Sequence, residues 1–590
     1  MTARRVLLSV VCLVLSSTIG LNAQNKDLAW AVSQAPADAL VVAGARNIKE
    51  LWTNLKELSC QGDKIPDLLA VMEMSLPAGV DLRGAAVAIL MPGQVHPDMV
   101  LMGRMKSGAA LEGEKIEGGI IKVAAALGSA TYMLKMDPWV VMSDNLASVK
   151  AISTATARLK ITEQQRTDLN SRSIWAWVNT KALTAKAKAA IPKTPPADDT
   201  AAGGPNPTMI ADWAVGLLNQ VNSLTVAADI KTDAALLTVG LDYAPDSQLA
   251  LIAASGTPMV PAKAGLAATD SFLLAGWGRM DWIKAIGPTK SILKPLFAAV
   301  TPASNKVARK SIDDLWAIYD EWAGTIGNEF AFIMEPAPAG EGTYRMTQTI
   351  AVKNPDAYRK LLAKTIPLSA NLTKAFSAMG PMGSPSMEMT ADYKPGAETI
   401  DGVAVDISKT KMAFSSPDMG PEEKEEAQKM MESIYGPEGM TMRMALLGRT
   451  AIVSMGGKET MVRAIKASKN QVPGLLANPK VIAALDRVPK DASFAGLISL
   501  PAYAHFTFGM ITRMMAGAGA PSGQPAPVLG DLVTFSLRMQ GTTQYFNLHV
   551  PQSEIKGLIK TIEQATGGMG GGVKKGMPMP DDSTVPPDNK

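Results

Sequence analysis

The chain has 590 residues, 47% of them hydrophobic and 19% charged, with 58 Lys and Arg against 54 Asp and Glu. That near balance, with no basic stripe carrying interleaved aromatics, gives no electrostatic footprint for nucleic acid. Beyond the first residues no stretch offers 18 uninterrupted apolar positions, so no membrane-spanning helix is expected.

Arg4 and Arg5, an apolar run over 6–15 and Leu21-Asn-Ala23 before Gln24 form the pattern of a cleavable secretory signal, residues 1–23. Export to a periplasm or to the outside is therefore expected. Removing the signal takes 58 basic residues to 56 against 54 acidic, a formal charge of +2. Of the two cysteines, Cys12 follows Val10 and Val11 inside the apolar run, a poor context for a lipid anchor. Its loss leaves Cys60 with no partner for an intrachain disulfide.

The rest of the chain aligns with itself. Pro36-Ala-Asp-Ala-Leu-Val-Val-Ala-Gly44 matches Ala268-Thr-Asp-Ser-Phe-Leu-Leu-Ala-Gly276 without a gap, each read as a buried strand turning into an amphipathic helix. In the same order, residues 85–91 match 330–334, Ile116-Glu-Gly118 matches Ile400-Asp-Gly402, and 140–152 match 452–465. Residues 173–178 match 493–498, and paired strands at 224–230 and 236–243 match 532–539 and 545–550. Pro/Gly-rich loops at 192–207 and 516–527 occupy corresponding places.

The expected class is α+β: two tandem, internally duplicated domains of mixed or antiparallel sheet with amphipathic helices, residues 24–260 and 261–565. Each domain is expected to hold two strand–helix–strand–strand quarters. The second carries insertions at about 300–326 and 370–445, and a disordered Gly/Pro/Met tail is expected over 566–590. Within the insertions, a helix is expected from Ser311 to Trp322, with Ser311 and Asp314 as a capping box. A charged helix is expected from Pro421 to Ile434.

Catalytic spacings are missing. The three histidines, His96, His505 and His549, are far apart and none lies in a zinc-binding pattern. No Gly-x-Ser-x-Gly elbow occurs. Gly456-Gly-Lys458 sits between strand and helix, but Ile452 replaces the first glycine of a phosphate loop and Glu459 its hydroxyl residue, so a turn and helix cap is the reading. The corresponding Ser143-Asp-Asn145 is read the same way.

Two features remain as a ligand surface. Thirty-five methionines are many, and Met440, Met442 and Met444 share one face of a strand, as do Met387 and Met389. Thioethers there could fill a core, form an adaptable hydrophobic contact surface or take Cu(I). Trp175 and Trp177 share a strand face where the second half has Ala495 and Leu497, which leaves core packing and a half-specific cavity as readings.

The Pro36–Gly44 opening and its echo, placed after a signal peptide, resemble bacterial exported proteins of the domain-of-unknown-function type. That resemblance implies an envelope or secreted location and brings no catalytic residue, cofactor or ligand. The function expected is that of a non-catalytic binding or scaffold module, its partner another envelope protein or an apolar ligand. A hydrolase with a site between the halves and a Met-rich copper binder are the alternatives.

Overall fold

The computed structural model describes residues 26–570 apart from 60–79, 82–83, 94–96, 107, 125–129, 191–206, 262–264, 302–304, 339–340, 378–385, 416–419, 437–438 and 517–526. The expected signal peptide, Cys60, His96, most of both Pro/Gly-rich loops and residues 571–590 lie outside the described residues, as do the side chains of Met387 and Met389.

Strands of alternating burial and amphipathic helices make an α+β fold. The first half holds β1 (Val41–Ala45), β2 (Val80–Asp81), β3 (Ala86–Met91), β4 (Asp98–Met105), β5 (Glu114–Lys115), β6 (Ile120–Ala124), β7 (Ala130–Met136), β8 (Trp139–Ser143), β9 (Ile174–Val178), β10 (Val221–Ile230) and β11 (Ala234–Tyr243). The second holds β12 (Leu274–Arg279), β13 (Ile326–Pro336), β14 (Tyr344–Val352), β15 (Ser386–Ile400), β16 (Val403–Ser415), β17 (Met440–Leu447), β18 (Thr450–Met455), β19 (Phe494–Ile498), β20 (Val533–Gln540) and β21 (Thr543–Pro551).

Among the described strands every pairing is antiparallel. The first half runs β5-β6-β7-β8-β4-β3-β1-β9-β10-β11, with β2 beside the end of β4. The second runs β15-β16-β17-β18-β14-β13-β12-β19-β20-β21, the same order of corresponding strands. β11 pairs with β21 from Ala234↔Pro551 to Asp242↔Thr543, so both halves belong to one continuous sheet.

The registers correct the gapless match of the two openings. Gly44 faces Leu28, Val32 and Leu169, whereas Gly276 faces the rings of Phe332 and Phe494 across the other side of the sheet. Because side chains alternate, a one-residue slip reverses the face. Ala43, paired with Ala88 and Ala176, holds the sheet position of Gly276, paired with Phe332 and Gly496.

The helices fall on two sides. Against one face lie α1 (Lys26–Ser33), α3 (Leu146–Thr154), α4 (Glu163–Ser171), α12 (Lys458–Ser468) and α13 (Pro479–Leu485), all short. They close cores built on Val42, Val87, Trp139 and Trp175 in one half and on Trp277, Ile333, Leu497 and Ile452 in the other. We call this the tight face. Complete exclusion of water from such side chains contributes about 1.5–3 kcal/mol each.

On the opposite side, α2 (Ile48–Leu58) lays Ile48 against Ala45 and Ala86. It begins because Asn47 accepts the N–H of Glu50 at 2.9 Å, an N-cap. α5 (Thr180–Ala190) and α6 (Pro207–Leu218) follow β9, and α7 (Gln248–Ala254) follows β11. α8 (Trp282–Val300), α9 (Lys306–Thr325) and α10 (Pro355–Ser377) form a layer in the second half, joined by α11 (Pro421–Tyr435), α14 (Leu500–Ala516) and α15 (Gln552–Gly570).

Two helix boundaries differ from expectation. α9 starts five residues before Ser311, because Asn305 accepts the Ala308 N–H at 3.0 Å and caps it. Ser311 is an interior, buried position, and Ile312 and Trp316 are buried as the spacing implied. α15 runs to Gly570, into the stretch expected to be tail.

Candidate functional site

The tight face and its opposite differ in closure. In the second half Trp277, Ala331, Ile333 and Leu497 on the tight face are at most 1% exposed. Their neighbours along the same strands, Phe330, Phe332, Met334, Phe494 and Ile498, are only half-buried. Alternation therefore delivers a second, incompletely covered apolar surface, the open face.

Register sets its composition. One row across adjacent strands reads Met442, Met455, Met346, Met334, Leu274, Ile498. The next reads Met444, Val453, Gln348, Phe332, Gly276, Gly496, Phe535, Leu548, Leu237. The third reads Ala451, Ile350, Phe330, Gly278, Phe494, Leu537, Phe546, Val239. Gln348 is the one polar side chain in these rows.

Phenylalanine rings form a connected slab. Phe330 and Phe332 stack on Phe494 at centroid separations of 6.1 and 6.5 Å, Phe494 meets Phe535 at 5.6 Å, and Phe535 meets Phe546 at 6.2 Å. Glycine makes this possible: a Cβ on Gly496 would lie 2.2 Å from the Phe535 ring, and one on Gly278 would lie 2.3 Å from Phe330. The rings lie down over bare backbone.

The slab has walls. At one end Trp282 of α8 stands 6.2 Å from Phe330, and Ile350 and Ala451 pack with Tyr358 and Leu362 of α10 and Trp322 of α9. At the other, Tyr344 of β14 meets Phe506 of α14 edge-on at 6.1 Å. α14 has no acidic residue, and Tyr503 and Ile511 on it are exposed. Its first turn is held by Glu554 of α15, which accepts the Leu500 N–H at 2.6 Å while only 1% exposed. Burial pushes the Glu554 carboxyl up to about 7, the Leu500 N–H lowers it and the Asp531 charge raises it further.

In the first half the same face is lined by Ala43, Ala88 and Ala176, each at most 8% exposed. Those small side chains are covered, while Leu90, Leu101, Val178 and Val226 on the same face are half-buried. The halves thus differ here in apolar bulk.

The expected ligand residues divide. Trp175 and Trp177 lie on the tight face, 0% and 8% exposed, in the core with Leu28, Val32 and Leu169, and line no surface. Met440 and Met442 are half-buried on the open face, and Met444, in the same face, is buried beside Val453. The sequence reading missed Phe330, Phe332, Phe494, Phe535 and Gln348. Its available signal was Phe330-x-Phe332 facing Gly276-x-Gly278 in the adjoining strand.

The catalytic candidates have local roles. Asn145 accepts the Ala147 N–H at 2.9 Å as an N-cap and donates to Asp98 at 2.9 Å. At Gly457, the N-cap of α12, no side chain caps the helix, and the Glu341 carboxylate lies 2.7 Å from where a Cβ would stand. His549 lies on the tight face opposite Thr534, its Nδ1 buried with no hydrogen-bond partner, and burial lowers its pKa. Among the described residues no group of three or more His, Cys, Asp or Glu side chains could hold a metal ion. No described helix is long and apolar enough to cross a membrane.

A buried hydrogen-bond hub props the second half near the open face. Asp406, 1% exposed, accepts Arg359 Nε at 3.1 Å, Tyr393 OH at 2.9 Å and Gly396 N at 2.7 Å. Burial first, then the Asp406 carboxylate, raises the Tyr393 phenol far above its ordinary range, so it remains a donor.

No family model matches the chain, and no curated protein matches it. A solved structure, crystal form I of TP0453, is similar over 36% of this chain and 78% of its own, at 8% identity and a TM-score of 0.22. A likeness of that size carries no argument about fold or activity.

Proposed function

We propose that this is an exported, non-catalytic binding protein, and that an apolar molecule or an apolar segment of an envelope partner lodges on the open face. The observation that carries the reading is the slab of half-buried Phe and Met side chains between α8 and α14. Binding sites for small apolar ligands are largely preformed, apolar and aromatic with few polar groups, and Gln348 is the polar group available here. The methionines suit a surface that adapts to its occupant.

Export rests on the signal-like N-terminus and on the resemblance of the Pro36–Gly44 opening to bacterial exported proteins. The repeated strand order supports a tandem duplication. On this reading one copy keeps alanines at the centre of its open face, and the other places phenylalanines there and binds.

Titration with a fluorescent long-chain fatty acid tests the reading. Saturable binding is expected, lost in Phe332→Glu, which sets a charge within the slab, and retained in Ala88→Gly at the corresponding first-half position. Absence of binding, or equal binding by Phe332→Glu, overturns it.

A further inference from the structure

A second surface lies outside the slab, on the layer formed by α5, α6, α7 and α8. α5 packs on α6, α6 on α8 and α7 on α8, with Trp213 Nε1 of α6 donating to the Ile292 carbonyl of α8 at 2.8 Å. The layer is therefore contiguous.

Its charge is lopsided. The four helices contain six lysines, no arginine and one acidic residue, Asp212, so six minus one gives +5, although the whole chain carries only +4. Lys181, Lys186, Lys188 and Lys294 are exposed and have no ion pair among the described residues; Lys284 is exposed and pairs with Asp281 at 3.5 Å. Lys290 is held by Asp320 at 2.6 Å.

The same layer exposes large aliphatic side chains. Leu183, Met209, Leu218 and Leu251 are each about two-fifths exposed and Ile283 is 62% exposed. Lone exposed apolar residues are ordinary, but here five lie on packed neighbouring helices with four lysines that have no ion pair among the described residues.

We propose that this layer docks on an anionic lipid surface, the lysines meeting head groups and Leu218, Ile283 and their neighbours entering the head-group boundary. Helices that lie on membranes combine basic side chains with exposed apolar ones. An acidic protein or a nucleic acid would use the charge but leave the aliphatic side chains without a purpose. The proposal does not depend on the slab holding a ligand.

Flotation of the full chain with phosphatidylcholine vesicles, with and without phosphatidylglycerol, tests it. All variants carry the same apolar N-terminal stretch, so its contribution is common to every comparison. Stronger binding is expected with phosphatidylglycerol than without it, the difference shrinking as salt rises. Each of Lys181→Gln, Lys186→Gln and Lys294→Gln is expected to lower partitioning roughly fivefold. Leu218→Ser with Ile283→Ser is expected to weaken it with charge unchanged. These are surface positions, and circular dichroism reads whether each variant keeps its fold. Equal binding to both vesicle types, no binding, or indifference to the lysine changes overturns the proposal. Indifference to the Leu218 and Ile283 changes overturns the lipid assignment in favour of a purely anionic partner.

Discussion

Thr238 Oγ1 donates to Asn547 Oδ1 at 3.1 Å across β11 and β21, the pair of strands that joins the two halves into one sheet. Asn547 in turn donates to Ser536 at 3.5 Å, and Gln165 of α4 donates to Thr225 at 3.0 Å on the same face. Thr238, Asn547 and Ser536 thus pair with one another across the junction, a set of contacts that favours its register. Thr238→Val leaves the Asn547 oxygen without its donor and is expected to cost about 1 kcal/mol. Urea unfolding checks the loss, and a double-mutant cycle with Asn547→Ala checks that it belongs to this pair.

Glu554 is expected to give the fold a pH dependence. Its carboxyl titrates near 7 when folded, above its ordinary 4.5. The folded state therefore holds the proton over an interval in which the unfolded chain has lost it. The group's contribution to stability is complete below about pH 4.5, declines as pH rises and is lost by about pH 7. Glu554→Gln keeps an acceptor for Leu500 and removes this slope. Unfolding temperatures of both proteins from pH 5 to 8 check it: the variant should gain on the parent as pH rises.

Asp406→Ala is expected to cost about 1–3 kcal/mol, because Arg359, Tyr393 and Gly396 all lose the one buried acceptor they share, while each keeps some access to water. Chemical denaturation measures it, with Asp406→Asn, which keeps an acceptor, expected to cost less.

Gly496→Ala is expected to cost about 1–3 kcal/mol by overpacking, since the new methyl meets the Phe535 ring. The same change should disturb the slab and weaken fatty-acid binding. Trp175→Ala separates core from site: about 3–5 kcal/mol of stability lost with the affinity of the remaining folded protein unchanged. Unfolding and fluorescence titration on each variant read the two effects separately.

Strand alternation was legible in the sequence, and it placed Met440, Met442 and Met444 on one face, as found. The α+β class was legible because apolar runs alternate with amphipathic stretches. Which face of Trp175 and Trp177 would be covered was not legible, since that depends on where α1 and α4 return in space. Nor was the phenylalanine slab, whose members come from β13, β19, β20 and β21 and meet only through cross-strand register. Ser311 failed as a cap because Asn305, one turn and more upstream, offered an earlier start. The match of Gly44 with Gly276 failed by a single residue, enough to reverse a face.

Native mass spectrometry of the protein purified gently from its own host tests the central claim most directly. A reproducible added mass from an apolar molecule or a co-purifying partner is expected, and it should be lost in Phe332→Glu. A bare chain mass under gentle conditions, together with no uptake of added fatty acid, would contradict the account.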